Sequence, residues 1–225
     1  MKLFTDKEIQ EVYETYFLKN QKEYLSKYNT IPEGFHLSNW KLEGKDYPRL
    51  RSLMDFKDWI IKYKLQNVKN ILVTDFSDPE LEFLKYEQLT HIPYLNGVND
   101  LHLLDLAFKS YDFAIFNQTL EHLYNPFLCI QNLYDHLNEG GYLYTTVPTI
   151  NIPHMVPYHF WGLTPMGLCM LMKSIGFQIV EVGYWGNYDY INKLFNSHLW
   201  PDYQGLNNLV NELNNECQCW ILVKK

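Results

Sequence analysis

The stretch YDFAIFNQTLEHLYNPF, residues 111–127, runs an apolar strand-like segment straight into Asn117, Gln118, Glu121 and His122. Polar side chains at the end of a buried strand are costly to desolvate, so they face either water or a ligand. A neutral imidazole titrates near physiological pH and can take a proton from a hydroxyl, which makes His122 the first candidate for a general base. The alternative is that Glu121 and His122 cap local backbone and each other. Further along, HMVPYHFW (residues 154–161) supplies His154 and His159 as additional candidates, although a single loop histidine is more often solvated. Tyr158 and Trp161 in the same loop suit an apolar wall against a sugar face, or equally a place in the core. Arg49 and Arg51, in YPRLRSL, offer bidentate forks for a carboxylate or phosphate, against the plainer reading of solvated surface arginines.

The elements that must position these residues belong to a chain of 225 residues with 47% hydrophobic content, enough for one domain with a sizeable core. Lysine and arginine total 19 against 26 acids, a net charge of -7 with no basic run, which argues against a nucleic-acid surface and for a small-molecule ligand. No apolar run reaches the roughly 20 residues of a membrane span, and MKLFTDKEIQ lacks the apolar core of a secretory signal, so a cytoplasmic protein without membrane contact is expected. A second copy of the chain is the macromolecular partner expected. Of the four cysteines, Cys129 and Cys169 sit in apolar helical patterns. Cys217-x-Cys219 has strand spacing and no second ligand pair, which points to buried thiols and no metal.

Residues 6–28 carry Ile9, Val12, Tyr13, Tyr16, Phe17 and Tyr24 at helical spacing, and with the irregular residues 30–48 they make an expected helical arm over 1–48. The main domain is expected over 49–225. It begins with an amphipathic helix that turns Leu50, Leu53, Phe56, Ile60 and Ile61 to one side. ILVT (71–74) has the continuous apolar character of a parallel strand. Asp78-Pro79-Glu80 predicts a helix ending near Thr90, and IPYL and LHLLDL are strand candidates around NGVND. FAIF (113–116) is another buried strand. Asn125-Pro126 starts a helix with Phe127, Ile130, Leu133, Tyr134 and Leu137 on one face, stopped by Gly140-Gly141. YLYTTVP, a helix from Thr164-Pro165 to Gly176, FQIVEV and QCWILVKK complete an alternating pattern. Such alternation means a doubly wound α/β sheet with helices on both faces.

The segments YDFAIFNQTLEHLYNPFLCIQNLYDHLNEGGYLYTTVP and HMVPYHFWGLTPMGLCMLMKSIGFQIVEVGYWGN together resemble the second half of a class I S-adenosylmethionine-dependent methyltransferase. The resemblance implies a Rossmann-like sheet whose last strand, QCWILVKK, returns antiparallel. It also implies S-adenosylmethionine as cofactor and methyl transfer to a hydroxyl or amine of a small molecule, foremost a sugar or nucleotide-sugar. Such chemistry needs alignment and a base more than a nucleophile triad or a metal. The first half departs from the family. Where a glycine-rich cofactor turn belongs, this chain has ILVTDFSDPELEFL, and close backbone approach is hindered without glycine.

Either ILVT is the first strand, with Thr74, Asp75 and Phe76 in an altered cofactor loop, or Asp75 ends the second strand and the first is lost. The helix and polar connection before ILVT favour the former. Asn96 and Asp100 then stand nearest the place of the ribose-binding acid, and Asn117 and Gln118 complete the expected cofactor contacts. Arg49, Glu121, Tyr158 and Trp161 are the expected substrate contacts, with His122, His154 and His159 as the catalytic set. The missing glycine turn keeps a second reading alive, a non-catalytic methyltransferase-like protein used for partner binding. A nucleotide-dependent oxidoreductase is weaker, since no G-x-G-x-x-G is present.

Overall fold

The structure is a computed structural model that describes residues 2–19, 21–92, 101–104, 106 and 110–225. After helices α1 (Asp6–Tyr13), α2 (Gln21–Ser26) and α3 (Tyr47–Lys62), the chain enters a single sheet. Its strands are β1 (Asn67–Val73), β2 (Lys85–His91), β3 (Tyr111–Asn117), β4 (Leu137–Pro148), β5 (Gln178–Trp185) and β6 (Gln218–Lys224), in the order β2-β1-β3-β4-β6-β5. Pairs β2/β1, β1/β3 and β3/β4 are parallel, and β6 runs antiparallel to both β4 and β5. Helices α4 (Pro126–His136), α5 (Pro165–Ile175) and α6 (Tyr188–Ser197) fill the connections. The α/β doubly wound sheet with an antiparallel last strand is therefore the one expected, and ILVT is its first strand in the chain.

Alternation along β3 divides the core. Phe113 and Ile115 face α3 and α6 with Leu53, Phe56 and Trp220, while Ala114 and Phe116 face α1, α4 and α5 with Leu133, Leu168 and Met172. Each strand residue thus buries one of the two faces, the pattern of a strand covered by helices on both sides. Val12 and Phe17 of the N-terminal segment join the second of these layers, and the Tyr16 hydroxyl donates to the Ile179 carbonyl at 3.1 Å. All four cysteines are buried, Cys129 and Cys169 in helices, Cys217 just before β6 and Cys219 within it. Gly183 in β5 lies flat under the Trp220 indole, where any Cβ would overlap the ring. Among the described residues, no helix is long and apolar enough to cross a membrane.

Several local expectations are corrected. Asp78-Pro79-Glu80 opens only a 3-10 turn, Pro79–Phe83, and KYEQLTH is β2 instead of the end of a helix. The connection from Thr74 to Leu84 is too short for a full crossover helix, which takes a dozen residues or more, and the Asp78 side chain makes no capping bond. Helix α4 ends at His136, so Gly140-Gly141 lie inside β4, where Gly140 (φ +80°) sits near a register shift against β3. Ile61 and Phe127 are exposed, one residue off the buried stripe of their helices. Leu101–Leu103 form a turn, not a strand. Most of IPYL and all of NGVND lie outside the described residues. Helix α6, capped by Asn187 onto the Tyr190 amide, was not foreseen.

Candidate active site

The sheet's parallel strands end together at a crevice, the usual ligand site of an open α/β sheet. At the end of β3 the chain must leave the sheet sharply. Gln118 does so in the left-handed region (φ +47°), held by its amide to the Thr146 carbonyl (2.9 Å) and its side chain to Thr146 Oγ1 (3.0 Å). A 3-10 turn, Leu120–His122, follows and buries both of its polar residues. Glu121 is fully buried, neither carboxylate oxygen accepts a hydrogen bond, and burial pushes its carboxyl up to about 8. His122 is 5% exposed, with Nδ1 2.6 Å from the Tyr158 carbonyl. A carbonyl only accepts, so the proton sits on Nδ1 and Nε2 carries the ring's lone pair. Nε2 lies 3.8 Å from Glu121 Oε1. Burial, and secondarily His154, hold the His122 imidazole below its usual value against the opposing Tyr158 carbonyl.

The loop after β4 folds back over this turn. Gly162 is required there, since a Cβ would sit 2.5 Å from the Thr149 carbonyl, and the Leu163 amide closes onto the Pro148 carbonyl at 3.0 Å. The Phe160 amide reaches the Glu121 carbonyl at 2.7 Å and the Trp161 indole donates to the Leu123 carbonyl at 2.8 Å. These bonds draw together histidines that are far apart in sequence. Ring centroids are 4.8 Å apart for His122–His154, 5.8 Å for His122–His159 and 4.6 Å for His154–His159. His154 Nδ1 is 3.1 Å from the Ile152 carbonyl. Tyr158 contributes its carbonyl to His122, while its ring, like those of Phe160, Trp161 and Trp200, is about two-fifths to one-half exposed at the mouth.

On the β1 side the residues are anchored differently. Asp75 Oδ1 accepts from the Ser77 amide (2.8 Å) and hydroxyl (2.7 Å), closing a small turn. Thr74 gives its carbonyl to His91 Nε2 (3.1 Å), and the exposed Phe76 ring stands edge-on to His91. Arg49 is neither solvated nor available as a free fork. Its guanidinium grips Glu80 through both arms, with Oε2 at 2.6 Å, and reaches Asp78 at 3.4 Å. It nonetheless borders a cavity of about 190 Å³ with Gln118, Pro148, Asn151, His154 and Gln218. Arg51, also buried, points elsewhere, to Asp55 at 2.7 Å. Asn117 is buried beside Asp78, yet neither Asn117 amide atom nor Asp78 Oδ2 completes a hydrogen bond. Burial first, then the charge of Glu80, raises the Asp78 carboxyl well above the usual carboxylate range despite Arg49.

Of the residues the sequence singles out, the structure brings His122, His154 and His159 together with Glu121 beside His122, sets Gln118 and His154 on the cavity of about 190 Å³, and leaves Asn117 buried next to Gln118 at the end of β3. Asn96 and Asp100 lie outside the described residues. Asp78, Glu80 and His91 were missed. The acid-rich DPE reads as a helix cap, and nothing in KYEQLTH marks His91 as the residue at a strand's inner end.

A model of the family described as a methyltransferase domain matches residues 33–182, which include the Arg49–Glu80 pair, β1 to β4 and all three histidines of the crevice. The chain belongs to this methyltransferase family. No curated protein matches the chain in sequence. Among solved structures, the enzyme is similar to 1,6-didemethyltoxoflavin-N1-methyltransferase from Burkholderia thailandensis, crystallised with 1,6-didemethyltoxoflavin and S-adenosylhomocysteine. The match covers 100% of this chain and 92% of that one at 10% identity, with a TM-score of 0.52. A candidate sarcosine dimethylglycine methyltransferase from Galdieria sulphuraria matches over 78% of this chain and 86% of its own, at 12% identity and a TM-score of 0.53. At such identities the likeness is one of fold.

Proposed function

We propose that the enzyme methylates a hydroxyl or amine of a small acceptor, with a sugar or nucleotide-sugar as the class that best suits its crevice, and that His122 is the base. The observation that carries this reading is the fixed tautomer of His122, whose Nδ1 is spoken for by the Tyr158 carbonyl, so that Nε2 is the proton-accepting atom at the carboxyl end of β3. His154 and His159 border the same space and orient the acceptor, and the half-exposed rings of Tyr158 and Trp161 offer the amphipathic faces that pack on sugars and exclude water.

The chain's unsatisfied polar atoms fit the cofactor. When bound, S-adenosylmethionine supplies a methyl group made electrophilic by its sulfonium. Asp78 Oδ2, in the turn after β1, and the Asn117 amide beside it at the end of β3, buried without completing a hydrogen bond, would complement an ammonium and a hydroxyl or carboxylate. Thr74, Asp75 and Phe76 flank them, and the exposed Phe76 ring offers a face for a base. Side chains thus reach where the glycine-less backbone cannot. Arg49 holds Glu80 and Asp78 in place.

Calorimetric titration with S-adenosylmethionine and S-adenosylhomocysteine tests the reading, followed by methyl transfer to a panel of sugars, nucleotide-sugars and amines. Binding of neither cofactor form at micromolar sensitivity overturns it. That outcome would favour the second reading, a methyltransferase-like binding protein, whose support is the loss of the glycine turn and of the helix after β1.

A further inference from the structure

We propose that His122, His154 and His159 form a binding site for a divalent transition metal, best suited to zinc, with Glu121 behind it. The inference deepens the methyl-transfer reading, on which its functional consequence rests, and departs from the expectation that the site needs no metal. One nitrogen from each of the three rings lies within 4.8 Å of the other two. A tetrahedral ion with Zn–N bonds of about 2.0–2.1 Å sets its ligands roughly 3.3 Å apart, so closing the site takes a contraction of about 1.5 Å. His154 and His159 stand on a loop and are only partly buried, so rotation of their rings can supply it.

The surroundings are those of a ligand set. Metal-bound histidines almost always give their other ring N–H to a carbonyl or carboxylate, which fixes the tautomer. His122 does this with the Tyr158 carbonyl at 2.6 Å and His154 with the Ile152 carbonyl at 3.1 Å, leaving Nε2 as the ligand atom of each. His159 Nδ1 is buried and has no hydrogen-bond partner. Both oxygens of the fully buried Glu121 likewise accept no hydrogen bond, and one lies 3.8 Å from His122 Nε2. A buried carboxyl group and an imidazole nitrogen, both without hydrogen-bond partners, are costly, and a cation between them would satisfy both. Imidazole ligands select zinc and its neighbours over magnesium or calcium, which prefer oxygen. Three protein ligands leave a fourth position for water or for the oxygen of an acceptor. Ligation and the general-base role are alternatives at His122 Nε2: with an ion bound, Nε2 would be a ligand, an acceptor hydroxyl at the fourth position would be acidified, and its proton would pass to water.

The test uses the full chain, stripped with a chelator and dialysed. It is titrated with cobalt(II) chloride under visible absorption and with zinc chloride by calorimetry. The expected result is one ion per chain, with the intense visible band of four-coordinate cobalt, bleached by added zinc. His154→Ala and His159→Ala should each weaken binding roughly tenfold or more, while circular dichroism and S-adenosylhomocysteine titration stay as in the unsubstituted protein. Because both positions are partly exposed loop residues, neither substitution should disturb the core. Absence of cobalt binding, a weak six-coordinate spectrum, or binding that survives both substitutions overturns the metal site. Cofactor binding retained without metal binding overturns this inference alone, whereas metal binding without cofactor binding overturns the methyl-transfer reading alone.

Discussion

The two sides of the crevice are built on different plans. On the β3–β4 side, a left-handed turn and a hydrogen-bonded loop bring imidazoles within 6 Å of one another. On the β1–β2 side the glycine turn and its helix are replaced by a 3-10 turn, and the polar groups are tied into an ion-pair cluster of Arg49, Glu80 and Asp78. The first side presents atoms able to move protons. The second presents fixed charge with two unsatisfied edges, at Asp78 and Asn117. The contrast teaches that, on the proposed reading, cofactor recognition in this chain would fall to side chains where the backbone lacks its glycines, and proton transfer to the loop-built side.

The comparison can be broken most decisively at the strand both sides share. Phe113 is fully buried in β3, and Phe113→Ala should cost about 3–5 kcal/mol of stability. Leu89→Ala, at a partly buried position in β2, should cost clearly less in the same urea titration. An equal or reversed order would mean that β2 is as central as β3. Next in size, His122→Ala should slow turnover by roughly a hundredfold or more, with S-adenosylhomocysteine affinity nearly intact. A joint loss of both in calorimetry and rate assays would show that the two sides are not separable.

A smaller effect is expected on the other side. Asp78→Asn removes a charge-assisted partner worth about 1.5–3 kcal/mol, so S-adenosylhomocysteine affinity should fall roughly tenfold or more. Turnover at saturating cofactor should change less than in His122→Ala, and the opposite split would exchange the roles given to the two sides. The smallest effect is a slope with pH. Asp78 has a folded-state pKa raised by burial and by Glu80, so the folded chain holds this proton more tightly than the unfolded one. Its contribution therefore declines as pH rises from the ordinary aspartate value near 4 toward the raised value. The cofactor's ammonium favours the carboxylate, so affinity should climb over the same window. Asp78→Asn should flatten both trends, and an unchanged slope in thermal melts or titrations would remove Asp78 from the site.

What could be read from the sequence follows the range of the interactions involved. FAIF, YLYTTVP and QCWILVKK were legible because a strand covered on both faces must be apolar throughout. His122 was legible because it breaks such a run. The missed features are those made by distant partners. KYEQLTH carries no strand signature of its own and pairs because β1 lies alongside, and DPE looks like a helix start until Arg49, some thirty residues upstream, claims its carboxylates. The convergence of His154 and His159 on His122 depends on backbone bonds such as Phe160 to Glu121, which leave no periodic trace in the chain.

The four buried cysteines have a practical consequence. Burial pushes the Cys169 and Cys217 thiols up to about 12 and raises Cys219 further still. Since the thiolate is the reactive form and the sulfurs are covered, alkylating reagents will find almost nothing to attack in the intact molecule. Labelling would then register only molecules that have opened. Because the thiols are spread over α4, α5 and the start of β6, the order in which they become modified under mild denaturant would serve as a chemical clock, telling which part of the fold comes apart first.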